Sequence, residues 1–141
     1  MQLTPLYRAR FTYPEAWQSE LVGVDGRQSV HFFIAEGTCD GRLAGRLRGA
    51  NHPVRRTDRT FVPDFQGVIE TDDGAVVLFD WHGYGRAYPE GARQIVVSAT
   101  HVSDDDRYRW LNDVVCVGTG EVRPTELIIE MAEVVWEPPA D

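Results

Sequence analysis

Apolar and polar residues alternate with a period of two along most of the chain, which is the pattern of half-buried β-strands. The spacing of three and four that marks an amphipathic helix is rare, and only 14–20 could form a helical turn. Turn signals such as Asp25-Gly26, Asp40-Gly41 and Asp73-Gly74 separate the runs and supply the positive φ angles of tight hairpins. The pattern predicts about nine strands, at 3–13, 17–24, 29–35, 42–48, 60–71, 75–81, 94–102, 108–118 and 126–136.

Long runs joined by tight turns indicate antiparallel pairing, because parallel strands need a crossover of a dozen or more residues. About nine strands in 141 residues are enough to close a small barrel, which removes the exposed sheet edges. We therefore expect an all-β, single-domain, antiparallel up-and-down β-barrel of about eight to nine strands with little helix. The barrel should span 1–136, with a short C-terminal tail at 137–141. A barrel of this size is filled by side chains or holds one small ligand, so its lumen is the expected functional site.

Two predicted strands carry an unusual face. Residues Tyr108, Trp110 and Asn112 share one face of 108–118. That face fits a pocket wall, where aromatic area gives affinity and an amide fixes the orientation of a ligand. It fits equally well a Trp in the core whose indole N–H donates a hydrogen bond to Asn112. On 60–71, Asp64 shares a face with Gln66 and is either part of a solvated outer wall or, in the lumen, a desolvated carboxylate with a raised pKa.

Composition excludes several classes of function. The net charge is −8 and all fourteen basic residues are Arg, so a Schiff-base or phosphate-loop lysine is impossible and nonspecific nucleic-acid binding is not expected. Cys39 and Cys116 form no CxxC pair, and no apolar run has the length of a signal peptide or a membrane span. We expect a cytoplasmic protein with free thiols that does not bind membranes.

The sequence holds no recognised metal or cofactor motif. Its four histidines have no metal-ligand spacing, and a phosphate loop, a dinucleotide fingerprint and a nucleophile elbow are missing, so we expect no metal and no cofactor. The segment from Trp81 to Arg86 places His82 and Tyr84 at a strand end, where barrel mouths carry their loops. These two side chains could exchange protons with a ligand or lie in a solvated loop.

Four segments together resemble the bacterial and fungal family of β-barrel proteins catalogued as domain of unknown function 3237. They are Ile34–Gly41 with Leu43 and Gly45, then Asp64, then Thr71–Ala75, and finally Tyr108–Asn112 running into Val117–Gly120. The resemblance covers nearly the full length and implies a β-barrel, but it implies no reaction.

The chain departs from the family pattern at three places. Glu36 stands where the family usually has Gly, Asn51-His52 where it has Asp-Trp, and Gln66 where it has Arg. If those positions line a pocket, the resemblance implies a specialised member with a different ligand.

We consider three functions. The first is a cofactor-independent enzyme of isomerase, cyclase or lyase type, for example in secondary metabolism, that binds a small, largely apolar molecule in the lumen and transfers protons. Asp64 or His52 would be its acid–base group, and Tyr84 and Asn112 would donate hydrogen bonds to developing negative charge on oxygen. The other substrate-binding candidates are Trp110, Tyr108, Trp81, His82, Glu36 and Gln66.

The second function is a non-catalytic carrier or sensor with the same lumen. The third is a structural or interaction module with a filled bore, which pairs as a homodimer through outward apolar strand faces such as Leu127, Ile129 and Met131.

Overall fold

A single antiparallel sheet contains all ten strands of the described residues, 1–87 and 93–141, in the computed structural model. One short 3-10 helix, Arg109–Asp113, interrupts them. Among these residues no helix is long and apolar enough to cross a membrane. The strands are β1 Gln2–Gly23, β2 Gly26–Gly41, β3 Gly45–Asn51, β4 Val54–Arg55, β5 Phe61–Val62, β6 Asp64–Thr71, β7 Val76–Ala87, β8 Arg93–Val102, β9 Val115–Val122 and β10 Leu127–Val135.

Eight of the strands close into a ring. The neighbours run β1-β2-β3-β6-β7-β8-β9-β10, and β1 pairs with both β2 and β10, which leaves no free edge in the ring. The predicted all-β up-and-down barrel is confirmed. The short strands β4 and β5 bridge β2 and β7 at one end of the barrel, which we call the open end. At the opposite, closed end, Leu111 of the 3-10 helix is fully buried in the core.

Aromatic side chains fill the middle of the bore. Phe11 stacks on Phe65 at 5.5 Å between ring centroids, and Trp81 lies 5.1 Å from Phe65 and 4.9 Å from Phe79. Gly67 makes room for this cluster, because a Cβ there would lie 2.5 Å from the ring of Phe79. The lumen predicted to be roomy is therefore packed through its centre.

The strand boundaries differ from the prediction in three places. The predicted helical turn at 14–20 is wrong, because β1 runs continuously and absorbs Pro14 in a bulge between Thr12 and Glu15. The predicted strand 60–71 is broken at Pro63 into β5 and β6. The predicted strand at 108–118 is wrong in its first half, because the backbone N–H groups of Tyr108 and Arg109 both donate to the Asp105 carbonyl and start the 3-10 turn. The turn predicted at 88–91 lies outside the described residues.

The β1–β2 hairpin extends beyond the barrel. Pairing of β1 with β10 ends at Phe11, whereas β1 and β2 stay paired to Gly23 and Gly26. We call this projecting part, residues 15–34, the ribbon. Trp17 and Phe32 lie on it with their rings 6.0 Å apart, both exposed.

Candidate functional site

A cavity of about 180 Å³ lies at the open end of the barrel. Its walls come from segments far apart in the chain, because residues of β1, β2, β3, β7, β8, β9 and β10 meet there beside Phe61 of β5. The lining is mostly apolar and includes Tyr13, Phe33, Asn51, Phe61, Arg93 and Leu127. An apolar enclosure with a few polar groups is the usual form of a small-molecule site.

Asn51 and Tyr13 are the linked polar groups of this cavity. The Asn51 amide donates to the Tyr13 hydroxyl at 2.8 Å, and its carbonyl oxygen accepts from the backbone N–H of Asp64 at 3.1 Å. The Tyr13 ring stacks on Phe33 with 4.4 Å between centroids. Burial raises the pKa of Tyr13 to about 12, so the phenol stays protonated. Since its oxygen accepts from Asn51, the phenol's own hydrogen is left for another acceptor.

Basic side chains surround the Phe61 ring, which forms one wall of the cavity. The Arg93 guanidinium carbon lies 3.8 Å from the ring centroid, the Arg55 guanidinium carbon 5.8 Å, and the His31 ring centroid 5.4 Å. Burial, followed by the charges of Arg55 and Arg93, lowers the pKa of His31, so its imidazole is neutral at pH 7. Ser29 Oγ lies 2.9 Å from His31 Nε2.

Three predicted site residues meet on the outer wall of β6 and β7. The Gln66 amide donates to Asp64 at 2.6 Å and to Asp80 at 2.9 Å, and His82 Nε2 lies 2.8 Å from Asp80. About half of each of the Asp64, Asp80 and His82 side chains is exposed. Of the two alternatives for Asp64, the structure shows the solvated outer wall, because Asp64 lies on the exposed face of β6, opposite the buried Phe65. The lumen position that the enzyme hypothesis required is wrong.

This outer cluster has a donor set that a divalent cation could use. One ligand atom from each of Asp64, Asp80 and His82 lies within 4.8 Å of the others. Carboxylate oxygen and imidazole nitrogen are both metal-ligand types. The cluster is on the outside of the barrel and shares no side chain with the cavity lining.

The other outward candidates are separate from one another. His52 lies near Phe32 of the ribbon with 6.1 Å between centroids, and Tyr84 lies under Arg56 at 5.7 Å. Glu36, on the outer face of β2, forms an ion pair with Arg46 of β3. A catalytic role for Asp64, His52 or Tyr84 stays a prediction, and it would have to operate on the outer surface.

The polar-aromatic face predicted for Tyr108, Trp110 and Asn112 does not exist as a strand face. Tyr108 donates its hydroxyl to Asp73 at 2.7 Å, and Trp110 is exposed beneath the Arg42 guanidinium at 5.1 Å. Asn112 makes two hydrogen bonds to the backbone of Ser103, at 2.8 and 2.9 Å. These residues hold the loop at the closed end, which is the end of the barrel opposite the cavity.

Two further predicted positions are corrected by the burial pattern. Trp81 does lie inside the barrel, but it is part of the packed aromatic cluster and lines no part of the cavity described above. The expected outward placement of Leu127, Ile129 and Met131 is wrong, because all three side chains are buried inside the barrel. A homodimer stays a prediction, and it would need another surface.

The sequence interpretation missed Tyr13, His31, Phe61 and Arg93. Tyr13 and His31 lie within the long strands β1 and β2, whereas Phe61 and Arg93 begin β5 and β8, so no shared strand face or short motif connects the four in the sequence. Asn51 had a signal, because it stood at a departure from the family pattern. The structure places that departure inside the cavity.

Solved structures with the same fold are known from several organisms. A β-barrel-like protein from Acinetobacter baumannii superposes with a TM-score of 0.81 at 21% identity and covers 94% of both chains. A protein of unknown function from Clostridium acetobutylicum gives 0.83 at 16% identity, covering 96% of this chain and 100% of its own. An enzyme from Penicillium herquei gives 0.69 at 24% identity, covering 94% of both chains. These likenesses show the fold.

A search of curated proteins gave no match to this chain. The model of one family, described as protein of unknown function (DUF3237), matches residues 1–134. That range contains the eight ring strands nearly completely and every residue of the cavity. The resemblance drawn from the sequence is confirmed, and the chain belongs to the DUF3237 family.

Proposed function

We propose that the protein binds a small, largely apolar organic molecule in the open-end cavity and acts on it as a cofactor-independent enzyme of proton transfer. The cavity itself carries this proposal. An apolar cavity of about 150 Å³ can hold benzene, so about 180 Å³ admits one aromatic ring or a similar apolar fragment. A bulkier substrate would place the rest of its structure outside, at the open end.

The polar groups around the cavity support proton-transfer chemistry. The Tyr13 hydroxyl and the Arg93 guanidinium are donors that would stabilise negative charge developing on a ligand oxygen. The neutral His31 imidazole, packed at 5.3 Å against Phe33, would accept the proton. Removal of a proton from carbon beside a carbonyl and its return at another position is an isomerisation. Such a step only moves a proton, so it needs no oxidant or reductant, and the product has the same atoms as the substrate.

Deuterium exchange tests this reaction class before the substrate is known. Acetophenone carries one ring and exchangeable hydrogens beside its carbonyl. Incubated in D₂O with the protein, it should take up deuterium in its methyl group faster than in buffer, as followed by proton NMR. Val122→Phe fills the cavity and should abolish the acceleration, whereas Val96→Phe changes the exposed outer wall and should leave it intact. If the wild-type protein binds acetophenone but does not accelerate its deuterium exchange, the catalytic part of the proposal is contradicted.

A carrier or sensor is the second candidate. It is favoured by the absence of carboxylates from the cavity lining within the described residues. A carrier would bind acetophenone and release it unchanged, which mass spectrometry would show. His31→Gln distinguishes the two: it should lower exchange at least tenfold in the enzyme while binding is retained.

A further inference from the structure

A groove rich in arginine adjoins the cavity. We call it the arginine groove; it lies between the ribbon and the β4–β5 turn, has a volume of about 400 Å³, and is lined by Glu20, Arg27, Ser29, Arg55, Arg56 and Arg59 with Thr57. Arg27 pairs with Glu20 at 3.2 Å and Arg56 with Asp58 at 2.8 Å. Among the described residues, the other two groove arginines have no carboxylate within ion-pair distance. The groove thus holds positive charge in excess, in a chain whose net charge is −8.

The groove and the cavity meet at Phe61. Arg55 lines the groove and Arg93 lines the cavity, and both guanidinium groups lie against the same Phe61 ring. His31 packs on that ring as well. A molecule with its apolar part in the cavity would therefore direct its protruding end between two arginines.

The cluster is electrostatically strained when no anion is present. Burial and the neighbouring Arg55 lower the pKa of Arg93, and burial with both arginines lowers that of His31. These directions show that each added positive charge is disfavoured here. A bound anion would relieve the repulsion, and a planar guanidinium fork matches carboxylate or phosphate oxygens.

The β4–β5 turn that carries two of the groove arginines is held rigidly. Asp58 accepts from the Arg56 guanidinium and from the Thr60 backbone N–H at 3.0 Å, and the Arg59 N–H donates to the Arg56 carbonyl at 2.9 Å. Arg59 itself has a φ of 68°, in the left-handed region that side chains other than glycine seldom adopt. The turn therefore holds Arg56 and Arg59 in the groove next to Arg55, where they add to the positive potential that attracts an anion.

We propose that the ligand of the cavity is an anion: a small ring-bearing acid or phosphate ester with its apolar ring in the cavity and its anionic oxygens between Arg55 and Arg93. The proposal rests on the proposed function and specifies the substrate class of the same site. Carboxylate and phosphate share the required chemistry, and the experiment separates them.

Three single-ring probes test the proposal by calorimetry at low salt: benzoate, phenyl phosphate and neutral benzamide. Wild-type protein should bind at least one of the anions ten or more times more tightly than benzamide. The tighter anion identifies the ligand as an acid or as a phosphate ester. Arg55→Gln should weaken anion binding about tenfold and leave benzamide binding unchanged. Arg8→Gln, which removes an arginine paired with Glu130 on the far wall, is the matched control and should change neither.

The His31 pKa gives a readout that needs no variant. An anion between Arg55 and Arg93 offsets their charges, so benzoate or phenyl phosphate should raise the pKa of His31, measured by NMR, whereas benzamide should not. Equal affinity for benzamide and both anions, with an unmoved His31, would overturn the anion proposal and leave the cavity proposal standing. Failure of all three probes to bind would overturn both.

Discussion

A buried tyrosine–histidine pair lies in the barrel interior, apart from the cavity. Tyr7 Oη and His101 Nε2 are 2.8 Å apart, and both side chains are almost fully buried. Among the described residues, His101 Nδ1 and Trp81 Nε1 have no hydrogen-bond partner. Burial lowers the pKa of His101 from 6.5 to about 4, because a charged imidazole would be surrounded by apolar side chains.

Stability should therefore depend on pH through His101. Between pH 6.5 and 4 the unfolded chain binds a proton that the native chain excludes, so the free energy of unfolding should fall as pH falls through this window. The shift corresponds to about 3 kcal/mol. Urea unfolding at pH 7 and pH 4.5 measures it. His101→Gln removes this titrating group and should reduce the dependence to the part that comes from His31, whose pKa is also lowered by burial. An equally steep loss in that variant would assign the dependence elsewhere. The pKa values of Asp58 and Asp105 are lowered to about 2 and that of Asp73 is lowered below its usual 3.8, so these carboxylates contribute below the window.

Among the elements, the loop before β9 shows how a polar side chain can imitate a strand. Asn112 bonds to both the N–H and the carbonyl of Ser103, as a neighbouring backbone would, and so ties the 3-10 helix to the end of β8. Leu111 is thereby held in the closed end of the bore. Asn112 is a structural clamp in this arrangement, in contrast to the substrate-binding role predicted for it.

Asn112→Ala should lower the free energy of unfolding by about 1–2 kcal/mol, since the Ser103 N–H loses its partner at a half-buried site. Asn112→Asp keeps the acceptor for the Ser103 N–H but places a carboxylate oxygen against the Ser103 carbonyl oxygen, so it should also be destabilising. Affinity for a cavity probe such as benzamide should not change in either variant. Loss of affinity without loss of stability would restore the predicted binding role.

The same loop explains what the sequence could and could not predict. Strand order and closure were predictable because alternation and Asp-Gly turns repeat along β1 to β10 and leave few alternatives. Residues 108–113 also alternate, but the hydrogen bonds of Asp105 and Ser103 override that pattern, and they come from outside the alternating run. Alternation likewise left open which face of β6 points inward, so Asp64 was assignable only once Phe65 was seen in the core. The cavity depends on residues of eight strands meeting in space, a long-range property that no local pattern carries.

On the scale of the whole molecule, the ring and the ribbon differ in what stabilises them. Each ring strand has two hydrogen-bonded neighbours and an apolar inner face, whereas the ribbon is mostly a two-stranded hairpin with large exposed apolar side chains. A two-stranded hairpin alone is only marginally stable in water. It is braced along 29–34 of β2, where Ser29 and Val30 pair with β4 and where Phe33 and Ile34 pair with β3. Beyond Ser29, toward the tip, the described residues pair only within the hairpin. Because the ribbon forms one side of the arginine groove, its order bears directly on ligand binding.

Amide hydrogen exchange should divide the molecule accordingly. Amides of ring residues such as Leu47, Ile69 and Val77 should exchange only through global unfolding, whereas those at the ribbon tip, such as Val22 and Gly23, should exchange about a hundredfold faster or more through local opening. Benzoate should slow exchange at Ser29, which lines the arginine groove, because a bound anion holds this part of the ribbon in place, and the ring amides serve as the internal control. Repeating the measurement at low and high protein concentration tests whether a second copy of the chain, rather than the ligand, protects the ribbon. The ribbon amides could be as protected as the ring amides at every ligand concentration, and their protection could increase with protein concentration. That result would mean that a second copy of the chain covers Trp17 and Phe32. In that case the ribbon's exposed apolar face is an interface, and its order does not depend on the ligand.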